Sequence, residues 1–344
     1  MQSRISGSIQ IAAVYVGTIV GAGFATGREI VEFFTKYGFY GFIGILIAGC
    51  LFIVLGTKIM MLAIKIDAKS YQEVNIHLFG EKWGIFINFL FFIMLFGVTA
   101  VMLSGAGAVF EEQVGITKFA GVSITVVIAL LVLYKGIKGL VAINIVVVPM
   151  MIFFSITLFL QGIQMPSFQE NFFNRPDDFG NWRSIISPFL YSAFNLALAQ
   201  AVLVPVATEI KDPVTVRRGG ILGGVCLTLI LLSSHLALIT LPDVTHYDIP
   251  SAELMKHLAS PVYWIFIFVI YGEIFTSLIG NSFGLEKQLK PYVPVNSMFI
   301  YSVILVCAYV VSVIPYSTLL SFLYPLFGYV SLLFLVLLFL KKDK

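Results

Sequence analysis

Four glycines interrupt the first apolar segment of the chain, in the stretch VGTIVGAGFATGREI between Val16 and Ile30. Each glycine weakens a helix by about 1 kcal/mol relative to alanine. A backbone that leaves the helix at membrane depth exposes amides and carbonyls that bind charged groups, and this is tolerated where the backbone lines a cavity. We therefore expect a broken first helix, of the kind found in secondary transporters, at these positions: Gly17, Gly21, Gly23 and Gly27.

A second set of oxygen-bearing residues lies in the apolar stretch YGEIFTSLIGNSFG. Thr276 and Ser277 offer adjacent hydroxyls one turn after Glu273. Such hydroxyls can help to bind a hard cation, or they bond back to their own turn. An ionised Glu273 near the bilayer midplane would cost about 2.5–3.5 kcal/mol. Three roles for Glu273 stay open: an ion or solute ligand, a proton carrier, or a structural acid paired with His235 or Asn281.

The composition places these residues in a polytopic membrane protein. The chain is 59% hydrophobic and 11% charged, with a mean hydropathy of +0.98, whereas soluble domains carry about 25% charged residues. Spans would consume nearly the whole chain, which leaves no room for a soluble catalytic domain. No HExxH, Gly-x-Ser-x-Gly or paired membrane aspartates occur, so we expect no enzyme, no cofactor and no nucleic-acid partner. The three cysteines fall in apolar runs and suggest neither a disulfide framework nor a zinc site.

Hydropathy predicts an all-α protein of about ten transmembrane helices, since a span needs about 20 apolar residues. Fifteen of the 21 Lys and Arg residues fall on one side if the N-terminus is cytoplasmic, so both termini are predicted to be cytoplasmic in the cell membrane. The predicted spans are 8–36, 39–65, 84–110, 118–134, 139–162, 184–210, 218–241, 260–285, 295–314 and 317–340.

The spans divide into two halves of five, 1–163 and 164–344. Because five is odd, the second half is inverted relative to the first, and inverted repeats commonly place a binding site at their interface. The sixth span carries Asn195, Gln200 and Pro205 within its apolar run. We therefore expect it to be interrupted like the first span.

The glycine-rich string GTIVGAGFATG is similar to the first-helix motif of the amino acid–polyamine–organocation superfamily, which has the five-plus-five inverted repeat of the LeuT fold. The longer string GAGFATGREIVEFFTKYG resembles the YkvI-type family of amino acid permeases more narrowly. That narrower resemblance rests on the first forty residues and on the sixth span through VLVPVATEI.

The resemblance implies a site for an amino acid or a related zwitterion or amine. The amides of Gly21, Ala22 and Gly23 would bind the solute carboxylate. Its amino group would meet carbonyls near Thr18, Ile19 and Phe194. The remaining side chains expected to line the site are Val98 at the middle of the third span, and Tyr191 and Asn195 beside the sixth-span break. For Asn195 an interhelical hydrogen bond is the alternative, worth about 0.6 kcal/mol.

The resemblance also implies a sodium site between the first and eighth spans. Its ligands would be the carbonyls of Gly17, Val20 and Glu273 and the hydroxyls of Thr276 and Ser277. The fifth-span stretch NIVVVPMMIFFSITLFL has no lysine, which disfavours the proton-coupled variant that replaces sodium by an amine. Sodium symport by alternating access is therefore the main prediction. A proton-coupled permease that uses Glu273 and a non-transporting ligand sensor of the same fold are the alternatives, and the oligomeric state stays open.

Other polar residues are expected to have smaller roles. Arg28, Glu29 and Glu32 are interpreted as a solvated helix end rather than an external gate. His235 is interpreted as a packed or hydrogen-bonded side chain. The external segments 164–182 and 243–257 are either lids or solvated connectors.

Overall fold

A computed structural model describes residues 2–134, 138–166, 168–173, 182–258, 260–290 and 292–340. All regular elements within these residues are helical. Short π-helical segments, Phe52–Gly56 and Val109–Val114, follow α4 and α7. The α-helices are α1 Gln2–Ile19, α2 Ala22–Ala25, α3 Arg28–Phe33, α4 Phe39–Leu51, α5 Thr57–Ile66, α6 Tyr71–Phe79, α7 Glu81–Ala108, α8 Lys118–Tyr134, α9 Lys138–Gly162, α10 Phe168–Phe173, α11 Trp182–Ile210, α12 Pro213–Leu238, α13 Pro250–Leu258, α14 Tyr263–Leu289, α15 Ser297–Val311 and α16 Tyr316–Leu340.

Ten of the described helical stretches fall on the ten predicted spans. Six are long and apolar enough to cross a membrane: 39–66, α7 with its π-helical end, α11, α12, α14 and α16. Four shorter apolar helices lie in α1, α8, α9 and α15. Large apolar side chains such as Phe268 and Val310 are exposed on the outside of these helices, as expected for surfaces that face lipid rather than water.

The order of elements repeats in the two halves. A short helix, α6, separates the second and third spans, and another short helix, α13, separates the seventh and eighth. This order agrees with the predicted five-plus-five plan. The division of the chain at residue 163 stays a prediction.

The spans pack as two groups. One group contains α1, α4–α5, α11 and α12, and the other contains α7, α8, α14 and α15. Between them, α9 packs on α12 and α14, and α16 packs on α11 and α7. The candidate sodium ligands of the first and eighth spans therefore come from different groups.

Close contacts hold α1 within the first group. The Tyr15 hydroxyl donates a hydrogen bond of 2.8 Å to the carbonyl of Phe52, in the π-helical segment. Gly223 of α12 lies against the Tyr15 ring, where an added methyl group would come within 2.6 Å of it. The N-terminal part of the first span is thus fixed between α4–α5 and α12.

The prediction of an interrupted sixth span is wrong, because α11 runs from Trp182 to Ile210 as a single helix of 29 residues. The span contains no glycine and several alanines, the best helix former. Pro205 removes one backbone donor, but a single missing donor leaves the rest of the helical hydrogen bonds in place, and α11 continues through it. Polar residues and a proline therefore do not unwind this span.

Candidate functional site

The first span is broken where the glycines predict it. The amide of Val20 makes the last bond of α1, 2.7 Å to the carbonyl of Val16. Gly21 is then extended, with φ −112° and ψ −168°, and the short helix α2 follows. A second turn at Gly27, with φ 78°, separates α2 from α3. The first span thus consists of the helix α1 followed by two short helical pieces, α2 and α3.

The break leaves backbone groups free to bind a ligand. Within the described part of the chain, no backbone carbonyl accepts a hydrogen bond from the amides of Gly21, Ala22 or Gly23. The carbonyls at the end of α1, which include those of Thr18 and Ile19, lie in the last turn, where a helix leaves acceptors unpaired. The Thr18 hydroxyl is already used, since it donates to the carbonyl of Val14 at 2.7 Å.

The eighth span approaches this break as expected for the candidate cation site. A methyl group added at Gly21 would lie 3.5 Å from Ser277 Oγ. One residue earlier on α14, Thr276 donates a hydrogen bond of 3.2 Å to the carbonyl of Glu273. The structure therefore brings Ser277 beside the break and puts the Thr276 hydroxyl and the Glu273 carbonyl on the same turn of α14.

Glu273 itself is buried within α14. Glu273 is 2% exposed, and its Oε1 atom has no hydrogen-bond partner among the described residues. His235 does not pair with it, because Nδ1 of that histidine bonds the Thr35 hydroxyl at 3.2 Å. The interpretation of His235 as a packed and hydrogen-bonded side chain agrees with this contact. No group of three or more His, Cys, Asp or Glu side chains is clustered in the described ranges.

A second carboxylate, Glu29, lies at the break, and the sequence interpretation of it as a solvated helix end is wrong. Glu29 is 4% exposed. Asn195 Nδ2 of α11 donates to Glu29 Oε1 at 3.3 Å and to the carbonyl of Tyr191 at 3.1 Å. A methyl group at Gly23 would collide with Glu29 Oε2. The turn at Gly27 thus folds α3 so that the Glu29 side chain returns over the start of α2.

Tyrosine side chains surround this carboxylate. Tyr191, Tyr316 and Tyr324 are all buried and lie within electrostatic range of Glu29. The Tyr316 hydroxyl is hydrogen-bonded to the Thr26 hydroxyl at 2.9 Å. We call these residues the Glu29 cluster: Glu29, Tyr191, Asn195, Tyr316 and Tyr324.

Two other expected site residues lie next to this cluster. The ring of Phe194 packs on that of Tyr324, with centroids 4.5 Å apart, and on that of Phe327. Gly97 of α7 lies against the ring of Phe327, and its neighbour Val98 is buried. The third span therefore reaches the aromatic layer beside Phe194, as the resemblance implies.

The segment between α12 and α13 covers the other side of the break. Arg28, which is 8% exposed, donates to the carbonyls of Thr245 and Tyr247 at 2.5 and 3.0 Å and to Ser321 Oγ at 3.2 Å. The amide of Ser251 donates to the carbonyl of Thr26 at 3.0 Å. These contacts favour the lid over the solvated connector for this segment. The other predicted lid, 164–182, lies partly outside the described residues.

Sequence reasoning missed Glu29 because the nearest charges, Arg28 and Glu32, suggested a water-facing turn. Glu32 is only partly exposed as well, since its side chain is 12% exposed, pairs with Lys36 and accepts a bond of 2.7 Å from Ser321 Oγ. The available signal was position. Glu29 lies only six residues after Gly23, and the stretch that follows it, from Ile30 to Phe34, is apolar except for Glu32.

Comparisons with known proteins agree with this architecture. No protein-family model matches the chain. The uncharacterized membrane protein YkvI of Bacillus subtilis (strain 168) is 48% identical over 345 residues, which is 99% of this chain and 97% of YkvI. The protein YyaD of the same organism is 23% identical over 94% of both chains.

Solved structures share the fold at low sequence identity. A mutant form of a manganese transporter of Eremococcus coleocola superposes with a TM-score of 0.66 at 14% identity over 100% of this chain and 80% of the transporter. Mhp1, a nucleobase-cation-symport-1 family transporter in a closed conformation with bromovinylhydantoin bound, gives 0.58 at 14% identity over 92% of this chain and 74% of Mhp1. The chain therefore has the LeuT fold, and its identity to YkvI over nearly the whole length shows that it belongs to the YkvI family of membrane proteins.

Proposed function

We propose that the protein is a secondary active transporter that carries a small amino-acid-like solute across the cell membrane together with sodium, by alternating access. One observation carries the proposal: the first span breaks at Val20–Gly21 directly beside Ser277 of the eighth span. Broken helices at this depth serve transporters by presenting backbone groups to charged solutes and ions. The transporters of similar fold support membrane transport by analogy, whereas the solute and the coupling ion are proposed from the residues at the break.

The solute class follows from the charges at the break. The unpaired amides of Gly21, Ala22 and Gly23 present partial positive charge, which suits a carboxylate. Side chains of Val98, Tyr191, Phe194 and Asn195 would shape the remainder of the site. A small solute with a carboxylate and a cationic group is therefore the proposed class, which includes amino acids and related zwitterions.

Sodium is the proposed coupling ion. Carbonyls of Gly17, Val20 and Glu273 with the hydroxyls of Thr276 and Ser277 form an all-oxygen set, which hard cations prefer. The proximity of Ser277 to Gly21 supports this set. The excess of Lys and Arg on one side supports cytoplasmic termini, which would put Arg28 and the segment 243–257, the candidate lid, outside.

The sodium site can be tested with two serine variants of α14. Ser282 of the same helix is the control. Its side chain is buried and its hydroxyl has no hydrogen-bond partner within the described residues, but it points about 140° around the helix axis away from Ser277. Uptake of a mixture of radiolabelled amino acids into proteoliposomes gives the sodium concentration for half-maximal rate. Because a bond to a charged group contributes about 1.5–3 kcal/mol, Ser277→Ala should raise that concentration about tenfold or more, and Ser282→Ala should leave it unchanged.

A proton-coupled permease is the second candidate, favoured by the buried and unpartnered Oε1 of Glu273. In that mechanism Glu273 would bind a proton on one side and release it on the other. Three results together would establish the second candidate and refute sodium coupling. The uptake rate would not depend on sodium, it would be driven by an acid-outside proton gradient, and it would be lost in Glu273→Gln. Saturable binding without accumulation against any gradient would instead identify a ligand sensor of the same fold.

A further inference from the structure

We propose that the Glu29 carboxylate binds the cationic ammonium group of the solute, beside the amides that bind its carboxylate. The inference rests on the proposed transport function and names a residue of the same site. It makes the solute a zwitterion whose two charged groups are close together, as in an α-amino acid.

The sixth span does not provide the free carbonyl that the resemblance implies as the acceptor for the amino group of the solute. A broken helix would have exposed the carbonyl near Phe194. In the continuous helix α11 that carbonyl belongs to the helix interior, where it accepts the bond from the amide four residues later. The cationic group of the solute therefore needs another acceptor near the break.

The Glu29 carboxylate can serve as this acceptor, because it carries a negative charge when ionised. Among the described residues no Lys or Arg forms an ion pair with it. An ionised carboxylate that is buried without a counter-charge is strongly unfavourable. The nearby Asn195 amide orients and partly stabilises the carboxylate, but neither it nor the surrounding tyrosines carry positive charge. A bound ammonium group would provide the missing counter-charge.

The geometry places this negative charge next to a positive one. A carbon at the Cβ position of Gly23 would touch Glu29 Oε2 and would lie 3.2 Å from Glu29 Cβ. The amides of Gly21, Ala22 and Gly23 start α2 at the same place. A solute carboxylate at these amides would be repelled by Glu29 unless a cationic group of the same solute lay between them.

The aromatic rings of the cluster favour the same type of ligand. Tyr191, Tyr316 and Tyr324 are buried around the carboxylate. The faces of aromatic rings attract ammonium groups by about 0.5–2 kcal/mol. A ring face that borders the carboxylate would add to its attraction for an organic cation, and the Asn195 bond holds the carboxylate in position.

Two Glu→Gln variants of α3 test the inference in the full-length protein. Glu29→Gln removes the charge but keeps the shape, and Glu32→Gln is the matched control one turn later, at a residue that bonds Ser321 and Lys36. The probes are the twenty amino acids, the amines that lack the carboxylate, and the acids that lack the amino group. Each probe is titrated into the purified protein in a buffer that contains sodium, and its dissociation constant is obtained from the shift of the thermal unfolding midpoint.

We expect at least one amino acid to bind the wild-type protein and Glu32→Gln alike, and to bind Glu29→Gln about tenfold or more weakly. The wild-type protein should bind the acid that lacks the amino group about tenfold or more weakly than the parent amino acid, a comparison that needs no variant. The inference is overturned if Glu29→Gln binds amino acids within twofold of the wild-type protein, if the amino-free acids bind equally well, or if no amino acid binds.

Uptake into proteoliposomes distinguishes this inference from the proposed function. Binding that depends on Glu29 without accumulation against a gradient would support the inference and refute transport. Accumulation of an amino acid by Glu29→Gln with an unchanged KM would support transport and refute the inference.

Discussion

The first and sixth spans contact one another, yet they differ in whether polar residues and glycines interrupt the helix. The first span has four glycines between Val16 and Ile30 and leaves the helix at Gly21 and Gly27. The sixth has no glycine and stays helical through Asn195, Gln200 and Pro205. The first span therefore presents backbone groups at the site, whereas the sixth presents side chains.

This difference teaches that backbone freedom, rather than side-chain polarity, decides where these helices open. Asn195 in the sixth span uses its amide to reach both Glu29 and the carbonyl of Tyr191, so it is satisfied without unwinding its own helix. In the first span the chain can adopt φ 78° at Gly27, a conformation that glycine adopts at little cost. The two spans then meet through the bond between Glu29 and Asn195.

The largest expected effect comes from removing the turn at Gly27. Gly27→Ala forces a left-handed conformation, which costs about 1–2 kcal/mol, and its methyl group would also collide with Ser251 Oγ and lie 3.2 Å from Leu238. We expect a strongly lowered unfolding midpoint of the purified protein and no solute uptake.

Gly115→Ala is the matched control for this variant. Gly115 has nearly the same φ, 76°, but nothing lies within 4 Å of an added methyl group. The unfolding midpoint of Gly115→Ala should therefore fall only by the cost of the left-handed backbone conformation, without a steric clash. If Gly27→Ala were no less stable than Gly115→Ala, the packing of the lid segment against the break would not matter.

The next effect separates the proposed solute site from the proposed sodium site at the break of the first span. Gly23→Ala should displace the Glu29 side chain, because the two cannot occupy the same space, and should raise the KM for amino acid uptake about tenfold. Gly21→Ala has room, since its methyl group would lie 3.5 Å from Ser277 Oγ. It should change the sodium requirement more than the solute KM. Both variants keep the amides proposed for the solute carboxylate and differ in what the added methyl group meets. The reverse pattern in proteoliposome uptake would contradict the proposed roles of Ser277 in sodium binding and of Glu29 in solute binding.

Much of this fold could be predicted from the sequence, because apolar length and glycine placement act locally. The ten spans and the break in the first span needed no tertiary information. The proximity of Ser277 to the break is tertiary, and it was reached through the resemblance rather than through local pattern.

The rest depended on tertiary contacts that no local pattern contains. Glu29 is charged and follows Arg28, so a local interpretation put both in water. Burial became possible because Arg28 bonds the carbonyls of Thr245 and Tyr247 more than 200 residues away, and because Asn195 reaches Glu29 from the sixth span. The sixth span stays continuous because it has no glycine and because Pro205 removes only a single backbone donor, so its polar residues and its proline were misleading signals of a break.

A smaller effect is expected from restoring the missing backbone donor of the sixth span. Pro205→Ala returns an amide that can bond the carbonyl of Ala201, four residues earlier. Because α11 is already continuous, we expect the unfolding midpoint to stay equal or rise slightly, with unchanged uptake. Loss of uptake in a stably folded Pro205→Ala protein would mean that the sixth span opens during transport, which would make the two spans more alike than this structure has them.

The smallest effect should come from two threonines that bond back to their own helices. Thr18 bonds the carbonyl of Val14 in the first span, and Thr208 bonds that of Val204 in the sixth. Such bonds add little to helix stability, so Thr18→Val and Thr208→Val should each change the free energy of unfolding by about 0.5–1.5 kcal/mol at most. Uptake measured at several solute concentrations should be unchanged in both. A raised KM in Thr18→Val alone would show that the Thr18 hydroxyl turns to the solute, and the first span would then contribute a side chain as well as its backbone.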